Sequence, residues 1–189
     1  IQELDHALTA AEAGADFVGF NFVPGVRRQL REEKAQHIIQ AYRERHGRDG
    51  PKLVGIFVDQ PLDVVNRILD DCDLDIAQLS GHEPLSYSRG LGRPVIKAVH
   101  VPVGQPRALV VSTLGPVLAE LEDVGILPLL DPDLADSPGG GTGRHFDWAI
   151  ARELAVRHRF LLAGGLSPEN VSQAVLEVRP WGVDVSSGV

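Results

Sequence analysis

Asp131 ends an apolar run, Ile126 to Leu130, and a glycine cluster follows in the next loop: Gly139, Gly140, Gly141, Thr142 and Gly143. A helix is expected to start near Phe146 or Asp147. Physically this is a buried strand with a carboxylate at its C-terminal end. The loop after it lacks Cβ atoms where its backbone could approach a ligand. Two later stretches repeat the layout. Phe160 to Gly165 (FLLAGG) is an apolar run ending in glycines, and Gly182 to Gly188 (GVDVSSG) is a short β-branched run ending in Ser-Ser-Gly. Three strand ends rich in glycine and small hydroxyls describe a phosphate site built from backbone N–H groups. A tight turn relieved of crowding accounts for any one cluster. Three in the last third of one chain favour the ligand.

The elements that would position these groups alternate along the whole chain. Helices are expected at Gln2–Ala13, Glu32–Arg43 and Asp63–Cys72, from apolar residues at helical spacing. Further helices are expected near Trp148 to Val156 and from Pro168 to Val178, the last with Ser167 as N-cap and Pro168 at the first helical position. Between Pro102 and Asp123, Pro106 and Pro116 limit any helix to about Val117–Glu122. Strands are expected near residues 17, 53, 76, 94, 126, 160 and 182. They are too uniformly apolar for a half-exposed sheet, which argues for a parallel sheet covered by helices. A closed (β/α)₈ barrel needs eight strands, each followed by a helix. This chain opens on a helix and closes on a strand, so the pattern fits such a barrel without its first strand and last helix. The competitor is an open doubly wound sheet.

Composition narrows the partners. With 189 residues, a single domain with a sizeable core is expected. Asp plus Glu exceeds Lys plus Arg, 26 to 18, and the net charge of −8 argues against nucleic acid or a membrane surface. No apolar run approaches the roughly 18 residues of a membrane span, and no signal-peptide pattern opens the chain. Cys72 is the one cysteine, so no intrachain disulfide forms, and a reducing, cytoplasmic compartment is expected. A buried structural thiol is the simpler reading of Cys72. His82, His100 and His145 show no metal-ligand spacing. Trp148 and Trp181 read as packing residues.

Several motifs run nearly end to end: Ala10 to Phe22 (AAEAGADFVGFNF), Gln78-Leu79-Ser80-Gly81, Val95-Ile96-Lys97-Ala98, Leu129 to Asp131, Gly140 to Trp148 (GGTGRHFDW), Leu162 to Val171 (LAGGLSPENV) and Gly182 to Val189 (GVDVSSGV). In this order they resemble phosphoribosylanthranilate isomerase, a (β/α)₈ TIM barrel of tryptophan biosynthesis and of the phosphate-binding type. The resemblance implies an isomerase of the aldose-ketose kind. Its reaction is an Amadori rearrangement of a phosphosugar by general acid and base, with no metal or cofactor. It also implies one barrel domain over residues 1–189, incomplete at both ends. The soluble protein would be a monomer or homodimer, fused to or associated with other tryptophan-pathway enzymes in some contexts. Two alternatives stand beside it: a related phosphate-binding barrel enzyme of tryptophan or histidine biosynthesis, and a non-catalytic phosphosugar-binding barrel.

Carried over residue by residue, the family's general acid maps to Asp131, which must be protonated to act. A desolvated barrel mouth raises a carboxyl's pKa in that direction. The alternative for Asp131 is a solvated turn aspartate before Pro132. The family's base is a cysteine in a Lys-x-Cys-Gly motif, which this sequence lacks. Cys72 matches no such motif. The resemblance gives Arg28 the substrate's anthranilate carboxylate, for which a guanidinium fork suits, with Arg27 as rival. Asp184 is expected to meet the sugar hydroxyls, or else to serve as a buried capping carboxylate. Gly141, Thr142, Gly165, Ser187 and Gly188 are the phosphate candidates. Ser80 stands where the family commonly has histidine.

Overall fold

The computed structural model describes residues 1–132 and 147–186. Two compact units divide the chain, Ile1–Val95 and Ile96–Val189. The seven expected strands are all found among the described residues, and every strand pair described below is parallel.

In the first unit, helices α1 (Leu4–Glu12), α2 (Glu32–His46), α3 (Leu62–Asp71) and α4 (Leu85–Ser88) alternate with strands β1 (Phe17–Asn21), β2 (Lys52–Phe57) and β3 (Ile76–Leu79). β2 pairs with both neighbours, Val18 lying opposite Leu53 and Val54 opposite Ile76. Helix α2 forms because Ala35, Ile38, Ile39 and Tyr42 recur on one face, and that face is buried. Val65, Ile68 and Leu69 do the same for α3. Gly55 interrupts an apolar strand for a packing reason. A Cβ there would fall 2.8 Å from the Phe57 ring and 2.9 Å from Leu74. The short α4 was not expected from the sequence; four residues are too few to show a helical period.

One buried ion pair fixes how α2 meets the start of β3. The Arg43 guanidinium donates to Asp75 Oδ2 at 2.7 Å, and the backbone N–H of Leu53 donates to the same oxygen at 2.8 Å. Both charged side chains are largely covered, 11% and 14% exposed. Coulomb attraction alone does not offset desolvation at such a site. The added backbone hydrogen bond gives Oδ2 of the carboxylate a second donor.

In the second unit, strands β4 (Val95–Val101), β5 (Leu127–Pro132), β6 (Leu161–Leu162) and β7 (Gly182–Val183) alternate with helices α5 (Arg107–Asp123), α6 (Trp148–Ala155) and α7 (Val171–Val178). The strands pair in sequence order from β4 to β7. Leu130, Leu162 and Val183 lie in one row. In a parallel ladder each residue directs its N–H and C=O to one neighbouring strand, and the next residue directs them to the other. The Leu130 carbonyl accepts from Ala163 N, so Pro128 and Pro132 also face the β6 side. Lacking N–H groups, they bracket the ladder, and β6 is two residues long.

Three expectations need correction here. The segment around Pro116 is not a short helix. α5 runs unbroken from Arg107 to Asp123 with Pro116 inside it. Pro106 only precedes the helix, as its N-cap. Gly115 before Pro116 has no Cβ to clash with the proline ring, and Pro116 faces solvent. Burial of Val110, Leu114, Leu118 and Leu121 on one face outweighs the lost hydrogen bond. The second correction concerns Ser167. α7 begins at Val171 with Asn170 at the N-cap, and residues 168–170 form a turn. Ser167 offers its carbonyl to Val171 N, while its hydroxyl donates to Glu169 rather than capping the helix. Trp181 is also more exposed than a packing residue, 48%, with the Arg159 guanidinium 4.9 Å over its ring.

Replacing Asp75 with alanine should strip the buried Arg43 of its closest carboxylate, leaving only the more distant ion pair with the half-exposed Asp73 at 3.4 Å. The unfolding free energy should fall by about 3 kcal/mol, read from the midpoint of chemical denaturation; a shift below the measurement error would show that the pair contributes nothing.

Candidate active site

β5 and its neighbours deliver Asp131 to a row of strand ends. Since Leu130, Leu162 and Val183 are in register, the next residues, Asp131, Ala163 and Asp184, share one level at the C-terminal ends of β5, β6 and β7. Ala163 N donates to Leu130 O at 2.9 Å, and Asp184 N donates to Leu162 O at 2.8 Å, extending the pairing through that level. Residues level with one another in paired strands point to the same face. Asp131 and Asp184 therefore flank Ala163, two strand spacings apart, roughly 10 Å between backbones.

Asp131 is half-buried, and that burial pushes its carboxyl from 3.8 up to about 6; the Asp184 charge adds to the shift. A carboxyl that titrates near 6 can hold a proton to donate and is still acidic enough to give it up. A solvated turn aspartate would show no such shift.

The turn after β6 closes against this acid. Gly164 and Gly165 both have left-handed backbones, with φ of 87° and 65°. A Cβ on Gly164 would fall 2.1 Å from Pro132 Cδ and 3.3 Å from Asp131 Oδ1. Only glycine satisfies both demands. Asn170 braces the turn: its side-chain Nδ2 donates to Gly165 O at 2.9 Å, and its Oδ1 accepts from Ser167 N at 2.9 Å. Sequence reasoning did not single out Gly164 and Asn170. The doubled glycine before a Ser-Pro turn was the available signal for the first. For the second it was an asparagine three residues after that serine, where a side-chain amide can bond back to the turn.

Asp131, Gly165 and Asp184 thus come together within the second unit. Arg28 lies in the first unit, on the loop after β1. That loop is tied by Leu30 N to Asn21 O at 2.7 Å and by Gly25 N to Gln29 Oε1 at 2.9 Å. Arg28 is half-buried and Arg27 exposed, which favours Arg28 of the two rivals for a placed role. Gly141, Thr142, Ser187 and Gly188 lie outside the described residues, as does His145. Asp147 does open α6, its side chain accepting from Ala149 N at 2.9 Å.

Cys72 is buried between α3 and β3, before the N-terminal end of the strand, whereas Ser80 follows its C-terminal end. Burial pushes its thiol up to about 12, which suits neither a base nor a nucleophile. In the loop after β3, Ser80 belongs to a turn organised by carboxylates. Glu83, itself buried, accepts from Asp59 N at 2.8 Å and from Gly81 N at 3.1 Å, and Asp59 Oδ1 accepts from His82 N at 2.7 Å. Among the described residues, no group of three or more His, Cys, Asp or Glu side chains is placed to hold a metal ion. No helix there is long and apolar enough to cross a membrane.

Asp131 links this site to stability. Its folded pKa lies above the unfolded value, so the folded state binds the extra proton between about 4 and 6. The stabilisation is fully present below about pH 4 and is lost as pH rises through about 6. At about 1.4 kcal/mol per tenfold change in proton affinity, the swing should be at most about 3 kcal/mol, and less for a half-exposed group. Denaturation midpoints measured from pH 4 to 7 should show this fall, and the Asp131→Asn variant should flatten it.

Known proteins with the same pattern cover the whole chain. A family model described as N-(5'phosphoribosyl)anthranilate (PRA) isomerase matches residues 1–189. The N-(5'-phosphoribosyl)anthranilate isomerase of Dehalococcoides mccartyi is 39% identical over 189 residues, which is all of this chain and 84% of the relative. The crystal structure of phosphoribosyl anthranilate isomerase from Thermotoga maritima aligns with a TM-score of 0.81 and 33% identity, over 100% of this chain and 85% of the other. A further crystal structure of phosphoribosyl anthranilate isomerase aligns with a TM-score of 0.78 and 31% identity, over 100% and 84% of the two chains. That one is in complex with reduced 1-(o-carboxyphenylamino)-1-deoxyribulose 5-phosphate. The fold class is α/β, of the parallel (β/α)₈ barrel type.

Proposed function

This chain belongs to the N-(5'-phosphoribosyl)anthranilate isomerase family, and from that premise we propose that Asp131 is the general acid of its Amadori rearrangement in tryptophan biosynthesis. The substrate is N-(5'-phosphoribosyl)anthranilate and the product is 1-(o-carboxyphenylamino)-1-deoxyribulose 5-phosphate. The carrying observation is a carboxyl raised to about 6 at the end of β5, level with Asp184 and walled by the Gly164–Gly165 turn.

The chemistry needs a proton delivered to the ribose ring oxygen as the C1–O bond breaks. The electron pair leaves with that oxygen, and the anilinic nitrogen stabilises C1 as an iminium. A base then takes the C2 proton, and the resulting enol tautomerises to the ketose, so atoms balance without an oxidant. Asp131 is the proton donor, because its neutral form is stabilised by burial and by the neighbouring Asp184 charge. Asp184 has a second role toward the sugar hydroxyls, which a carboxylate accepts well. The phosphate faces backbone amides around Gly165, together with Gly141, Thr142, Ser187 and Gly188. Arg28 takes the anthranilate carboxylate. The base is the family's cysteine of the Lys-x-Cys-Gly motif, which this sequence does not contain. Cys72 is excluded from that role by its place and its raised pKa.

Turnover of N-(5'-phosphoribosyl)anthranilate by the active protein tests the acid directly. Asp131→Asn keeps shape and polarity but cannot donate an acidic proton. It should lower turnover by about 10²-fold or more with substrate affinity nearly unchanged; near wild-type turnover would move the role elsewhere.

The Asp184 contribution gives a separate test. The rate should fall as pH rises past the Asp131 pKa, because the donor form is lost. Asp184→Asn removes the charge that raises that pKa, so the alkaline limb of kcat/KM should move to lower pH. A limb that stays in place or moves upward would show that Asp184 does not face the acid.

A further inference from the structure

The turn after β6 needs something to hold it. Gly164 and Gly165 both sit in left-handed conformations that glycine enters freely, so their shape is not self-enforcing. The backbone entropy of two adjacent glycines opposes any single arrangement. Asn170 supplies the restraint from both sides. Its Nδ2 donates to the Gly165 carbonyl and its Oδ1 accepts from Ser167 N, each at 2.9 Å. One planar amide therefore spans the turn. It is itself fixed by the helix it precedes, since its own N–H donates to Ser167 O at 3.1 Å and its carbonyl accepts from Ala174 N at 3.0 Å.

We infer that Asn170 is a positioning residue for phosphate recognition, holding the Gly165–Leu166 peptide plane so that its N–H faces the anion. In a trans peptide the N–H of Leu166 points opposite to the Gly165 carbonyl. With that carbonyl held toward α7, the N–H points away from it. The same brace keeps Gly164 against Pro132 and Asp131, where no Cβ fits. This inference rests on the proposal that Gly165 belongs to the phosphate site, and it adds what makes that site rigid.

The test compares three variants of the active protein with the wild type. The probes are inorganic phosphate and the reduced product analogue, with and without its 5'-phosphate. Asn170→Ala removes both bonds. Asn170→Asp keeps the acceptor for Ser167 N, so it should fold even where alanine does not, but it sets a carboxylate oxygen against the Gly165 carbonyl in place of the donor. Both should raise the Kd for phosphate and for the phosphorylated analogue by about tenfold, as for a lost orienting hydrogen bond. KM should rise in step, with kcat changed less than about threefold, and the analogue without phosphate should bind as in the wild type. Unchanged phosphate affinity, or equal losses for the two analogues, would overturn the inference. Gly165→Asp is the control for the underlying proposal. If it leaves phosphate affinity unchanged, the phosphate site itself is misplaced; if only the Asn170 variants behave as wild type, the site stands and the brace does not.

Discussion

Parallel pairing fixes height as well as direction, and the second unit depends on that property. Leu130, Leu162 and Val183 are buried or half-buried apolar residues whose register is enforced by packing. Asp131, Ala163 and Asp184 inherit their common level from that register. A slip of one residue would turn Asp131 to the other face of the sheet. The carboxyl's raised pKa is a further consequence: burial and a second carboxylate on the same level make the charged form costly. The apolar strand residues thus do the placing of the two carboxylates that follow them.

The fold was largely legible because its signals are local. Uniformly apolar strands alternating with helical stripes describe parallel β/α structure, and the described strands fall where the apolar runs do. The failures have physical reasons. At Pro116 a propensity rule met a helix with Val110, Leu114, Leu118 and Leu121 all buried on one face, and tertiary burial outweighed it. At Ser167 a good N-cap sequence met a competing asparagine. Asn170 engages Ser167 N and Gly165 O, and the helix starts beyond it.

The site was legible in part. Asp131 was marked by its position at the end of an apolar run, and its neighbour Asp184 by the matching end of the last strand. Their electrostatic coupling was not readable, because it depends on the strand between them. Gly165 was visible as a glycine, but the reason for Gly164 lay in the Pro132 ring, distant in sequence and adjacent in space. The ranking of Arg28 over Arg27 also needed burial, since the sequence offers two adjacent arginines in one loop.

The prolines of β5 have an effect on how this unit opens. Pro128 and Pro132 face the β6 side without an N–H to give, and the ladder there spans Leu161–Leu162. The opposite side of β5 pairs with β4 over a longer run, from Leu127 to Pro132. The β5–β6 seam should therefore open more readily than the β4–β5 seam, its amide hydrogens exchanging with solvent deuterium ahead of those between β4 and β5. This short seam lies directly beneath the acid and its glycine wall, so substrate that spans the two strand ends would fasten together a part of the backbone with few bonds of its own.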